Sequence, residues 1–274
     1  FNYWRRDALR DHRLEGVQLF SYTEFSGWWG WAVGITAEKA KQKPSPEQAW
    51  AYIERLARGE IGTEDQQKVA RCILNCNPYD RDGNRVLHGR YVAKWGGYNY
   101  LCNPDPEIEG PWGKINRYTL TEEREVSRVD SWKLDGMYLD CVFVFSVDNF
   151  RRDHFRFADH PLAFDHISKK PVLPMDFSSY ECAKALADEM HQRGKLVMSN
   201  YSVTRRPTNI FCIQFIDVIG NEMLWVWCAD TKLALQRTLA GQKVVCMTWQ
   251  EAKNRWPLER VERQMKEAMF YGTF

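Results

Sequence analysis

The sequence predicts an α/β fold, a (β/α)8 TIM barrel lacking its first strand in this fragment, with a long insertion between early strands. Three observations predict it. Strand-like and helix-like segments alternate from the middle of the chain to its end, which means parallel strands joined by helical crossovers. Neither GxGxxG nor GxxxxGK[ST] follows an early strand, as a nucleotide-binding doubly wound sheet would have it. Polar residues close strand after strand, at Glu24, Asn103, Asp140, Asp176, Asn200, Asp217 and Thr248, and a barrel builds its active face from such strand ends.

The elements follow in order. An amphipathic segment, residues 3–13, precedes GVQLFSYTEF (16–25), whose β-branched and aromatic residues read as a strand. Taking it as the second barrel strand places the first upstream of Phe1, so the chain reads as part of a longer protein with flanking domains. Within a catalytic domain spanning 1–274, residues 26–97 read as a helical and hairpin insertion. Ser45 caps a helix over 44–60 and Thr63 one over 63–76; DRDGN (80–84) then makes a tight turn between two strands. It lacks the terminal glutamate of a calcium loop. YNYLCNPDPEI (98–108) begins as a strand, 121–132 is a helix, and LDGMYLDCVFVF (134–145) is an apolar strand carrying two aspartates. The later strands are PVLPMDF (171–177), KLVMSN (195–200), IFCIQFID (210–217) and KVVCMTW (243–249), separated by helices over 178–194 and from Glu222 to Leu239 and followed by one over 250–270.

The bulk composition excludes several function classes. With 38 basic and 36 acidic residues the net charge is +2, so no global field recruits nucleic acid or an acidic membrane. No apolar run reaches the roughly 18 residues of a membrane helix, and no leader pattern opens the sequence. Export to the periplasm or the exterior is the expectation if the full-length chain carries a signal peptide. Eight cysteines are scattered through apolar segments and read as buried free thiols. There is no CxxC, HxxxH or histidine cluster, so neither a metal nor another cofactor is expected. The three histidines of 154–166 read as loop packing. The arginines around them, with Arg205 and Arg206, suit an acidic group on a substrate.

Aromatic residues make up 14% of the chain. GWWGW (27–31), Trp95, Trp112 and Tyr98 lie among glycines and prolines, where exposed flat faces would suit sugar rings. Carboxylates and aromatics without metal ligands fit glycoside hydrolysis, in which one carboxylate attacks and another protonates the leaving oxygen. Side-chain alternation puts Tyr138 and Asp140 on one strand face, and Asp140 is the expected nucleophile. Glu222, beyond a Gly-Asn turn and near Trp225 and Trp227, is the expected acid, with Asp217 its alternate. Glu24, Trp28, Trp29, Asn103, Tyr138, Asp176, Asn200, Arg205 and Trp225 are expected to bind the carbohydrate.

LDGMYLDC resembles the fourth-strand segment of retaining α-glycosidases, in the clan of α-galactosidases and endo-α-N-acetylgalactosaminidase-like barrels. There a phrase of the form DG-aromatic-aliphatic-D carries the nucleophile. HQRGKLVMSN, FIDVIGNE and LAGQKVV are similar to later strands of large bacterial glycosidase-like proteins, so the resemblance covers about residues 95–274. It implies Asp140 as nucleophile and a retaining glycosidase acting on an oligo- or polysaccharide. It departs where α-galactosidases place an acidic aspartate after the sixth strand and this chain has Asn200. The competing reading is a catalytically inactive carbohydrate-binding barrel, and the two differ in whether Asp140→Asn abolishes turnover.

Overall fold

The computed structural model describes residues 18–24, 26–142, 147–200, 209–222, 230–248 and 258–272. The strands are β1 (Phe20–Glu24), β2 (Gly27–Trp29), β3 (Leu87–Val92), β4 (Gly97–Leu101), β5 (Gly136–Asp140), β6 (Asp148–Asn149), β7 (Ala163–Phe164), β8 (Pro171–Pro174), β9 (Leu196–Asn200), β10 (Val218–Glu222) and β11 (Val244–Thr248). The longer helices are α1 (Pro46–Ala57), α2 (Glu64–Cys76), α3 (Met175–Gln192), α4 (Asp230–Ala240) and α5 (Leu258–Phe270). The chain divides into two compact units, one holding the residues up to Thr23, Glu125–Val142 and those from Leu186 on, the other Glu24–Arg124 and Phe143–Ala185.

A five-stranded sheet, ordered β1-β5-β9-β10-β11, organises the first unit. The pairs β5–β9, β9–β10 and β10–β11 are parallel. Leu19 and Asp135, the residues just before β1 and β5, bond reciprocally: Asp135 N–H donates to the Leu19 carbonyl at 2.8 Å, and Leu19 N–H to Asp135 Oδ2 at 2.7 Å. The first aspartate of LDGMYLD is thus fastened at the strand entry. Gly136 follows because a Cβ there would lie 2.1 Å from the Leu196 carbonyl oxygen. Alternation sorts the side chains: Ser21, Thr23, Met137, Leu139, Val197 and Ser199 are buried, whereas Tyr22, Tyr138 and Asn200 are only half-buried.

The second unit packs α1 and α2 against an antiparallel sheet of order β2-β4-β3. Both helices begin at the expected caps, Ser45 and Thr63, and Gln48 and Gln66 complete each as a capping box, which satisfies N–H groups otherwise orphaned at a helix start. Ile53, Leu56, Val69 and Ile73 form its core with Trp28 and Tyr100. Asp80 accepts the backbone N–H groups of Asp82 and Asn84, closing the DRDGN turn.

Three expected barrel strands are corrected. β4, from the 98–108 segment, pairs antiparallel with β2 and β3. β8, from 171–177, stands in a separate antiparallel sheet between β6 and β7 and gives way to α3 at Met175. In 210–217 a short helix, Asn209–Cys212, precedes the strand, which runs instead over β10.

Candidate active site

Asp140 ends β5 and is 9% exposed. Three neutral donors hold its carboxylate. Tyr22 Oη, from β1, donates to Oδ2 at 2.6 Å, while Asn200 Nδ2, at the end of β9, donates to Oδ1 at 2.9 Å. The backbone N–H of Cys141 also donates to Oδ1, at 2.8 Å, and Cys141 takes a left-handed conformation with φ 56°. A β-branch-free but non-glycine residue adopts that region at some cost, and here it turns the chain out of the strand with its N–H on the aspartate. The Tyr22 and Tyr138 rings stand 5.5 Å apart on the same side. The sequence-predicted Asp140, Tyr138 and Asn200 are therefore brought together, and β-strand alternation with parallel register is what does it.

Register also places the two expected acids. Gly220 pairs with Asn200, and Glu222 pairs with Thr248, so Glu222 closes β10 at the same sheet end as Asp140. Gly220 and Asn221 belong to the strand, and the expected Gly-Asn turn is absent from this position. Asp217 is corrected. It precedes β10, where Oδ2 accepts from His191 Nε2 and from Val197 N–H, each at 2.8 Å. It thus lies about 10 Å from the Asp140 level along the strands and two strand spacings, about 10 Å, sideways. It fastens the entry of β10 much as Asp135 fastens that of β5.

Other expected ligands are corrected in the second unit. Asp176 lies in the first turn of α3 rather than at a strand tip. Asn103 is fully buried, with Oδ1 accepting the Asp105 N–H and Nδ2 facing His154 Nδ1. Trp28 and Trp29 are 8% and 9% exposed and so offer no open face to a sugar. The apparent turn GWWGW is in part strand: β2 pairs with β4, and the guanidinium of buried Arg117 stacks on the Trp28 ring 3.8 Å from its centroid. Trp31 and Trp95 are the exposed members, at 50% and 43%. Glu24 accepts from Trp29 Nε1 at 3.3 Å and from Asn99 Nδ2 at 3.4 Å. Arg205 and Trp225 lie outside the described residues.

The residues that spacing missed are Tyr22, Asp105 and Glu181. Tyr22 was legible, being two residues before Glu24 on one face of SYTE. Burial pushes the Asp105 carboxyl up to about 6. Glu181 rises to about 7, through burial first and then the nearby Asp105 and Asp159 carboxylates. These acids come from segments about 80 residues apart with no shared motif. His154 is held down at about 4 by burial and by Arg151, and its Nε2 bonds the Asn75 carbonyl at 2.8 Å. Among the described residues no group of three or more His, Cys, Asp or Glu is disposed to hold a metal ion, and no helix is long and apolar enough to cross a membrane.

In comparisons with known proteins, no family model, no curated protein and no solved structure matches the chain.

Proposed function

We propose that the chain is a retaining glycoside hydrolase of (β/α)8-barrel architecture, with Asp140 as nucleophile and Glu222 as acid/base, acting on an oligo- or polysaccharide. The observation that carries this reading is the setting of Asp140. A carboxylate at the C-terminal end of a parallel strand is held in one orientation by three neutral hydrogen-bond donors, as a directed nucleophile requires. The strand order supports the barrel, because β1, β5, β9, β10 and β11 neighbour one another in sequence order. A doubly wound sheet reverses its order at a switch point, whereas a barrel arc runs in one sense.

From the register, the Cα atoms of Asp140 and Glu222 are separated by two strand spacings and two residues along the strand, roughly 12 Å. Aryl glycosides of galactose, glucose and N-acetylgalactosamine, in both anomeric forms, test the proposal. Asp140→Asn is expected to lose at least about a thousandfold in turnover, and azide is expected to restore product formation to Asp140→Gly as the glycosyl azide. An Asp140→Asn protein as active as the wild type would end the proposal.

A further inference from the structure

The two oxygens of Asp140 are not equivalent. Oδ1 receives two donors fixed in place, the Cys141 backbone N–H and the Asn200 amide, which occupy both of its in-plane lone pairs. Among the described residues Oδ2 receives only the hydroxyl of Tyr22, a rotor that leaves its second lone pair for a substrate. Tyr138 lies beside Tyr22 on the same face, with ring centroids 5.5 Å apart.

From this asymmetry we infer that Oδ2 is the attacking oxygen and that Tyr22 is a positioning residue which governs breakdown of the glycosyl-enzyme more than its formation; the inference rests on the glycosidase reading. An Oδ2 lone pair forms the bond to the anomeric carbon, and the bond from that carbon to the leaving oxygen breaks, its electron pair departing with the leaving group. With a dinitrophenyl glycoside the phenolate leaves without needing a proton. Tyr22 keeps its proton throughout. Its hydrogen bond weakens as anionic Oδ2 becomes a neutral ester oxygen. It strengthens again when water attacks the anomeric carbon, giving a proton to Glu222, while the carbon–Oδ2 bond breaks and the carboxylate is released. Hydrogen bonds to charged groups are the stronger kind, so the hydroxyl helps Asp140 depart.

Tyr22→Phe and Asn200→Ala therefore differ in kind. With 2,4-dinitrophenyl glycosides, Tyr22→Phe is expected to show a stoichiometric burst of phenolate, then a kcat about 10- to 100-fold lower than wild type. KM should fall in parallel, and intact-protein mass should rise by one glycosyl unit during turnover. Asn200→Ala, which loosens the clamp on Oδ1, is expected to lower kcat/KM with no burst and no mass increase. Tyr22→Phe kinetics with an unchanged or raised KM and no accumulating adduct would overturn the inference while leaving the nucleophile in place. If Asp140→Asn keeps wild-type activity, or the wild type releases no phenolate from any of these glycosides, the glycosidase reading falls and takes the inference with it.

Discussion

Asp135 precedes β5 and Asp140 ends it, and under the proposed function their partners separate structure from chemistry. Asp135 closes a reciprocal pair with the Leu19 backbone, as Asp217 does with Val197. Asp140 is gripped by side chains from two other strands. Its strand-end position was legible because alternation and the glycine before it mark the strand. The burial of Trp28 and Trp29 was not, since a glycine-flanked aromatic run carries no sign of the distant β4 that pairs with it. His154 gives a prediction at this scale. Its imidazole titrates near 4 in the folded protein against an ordinary value of 6.5, so the unfolded chain binds the extra proton first. Stability from this group is complete above about pH 6.5 and is lost as pH falls toward 4, up to about 3 kcal/mol. Urea unfolding at pH 7 and pH 4.5 should show that loss in the wild type and a smaller one in His154→Gln.

Among elements, the helices were the most legible. Ser45 and Thr63 announce two helix starts as N-caps, and the structure has both. Short apolar runs were the least legible, because IFCIQFID and PVLPMDF have no period that separates helix from strand or parallel from antiparallel pairing. The first became a helix entering β10, and the second an antiparallel strand ending in α3. β5 itself depends on one close approach. Gly136→Ala sets a methyl carbon 2.1 Å from the Leu196 carbonyl oxygen and 2.9 Å from Phe20 Cε1, so β1, β5 and β9 must spread. Chemical denaturation is expected to report a loss of about 3 kcal/mol, with Asp140→Asn near wild-type stability by comparison.

At the scale of the whole molecule, the alternation of strands and helices foretold a parallel sheet, and the sheet runs in sequence order through β1, β5, β9, β10 and β11. The second unit was only half legible. Residues 26–97 were set off in the sequence, whereas the unit spans Glu24–Arg124 and Phe143–Ala185, its further parts recruited by pairings between segments distant in the chain. Local pattern does not encode such pairings. Parallel register delivers Tyr22, Asp140 and Asn200 to one end of the sheet, and the proposed function stands on the nucleophilicity of that aspartate. The most direct measurement is peptide mass mapping after incubation with galacto- and gluco-configured cyclophellitol aziridines, which esterify a glycosidase nucleophile. The expected result is one label per chain, on Asp140, absent from Asp140→Asn; a label on any other carboxylate, with Asp140 unmodified, would contradict it.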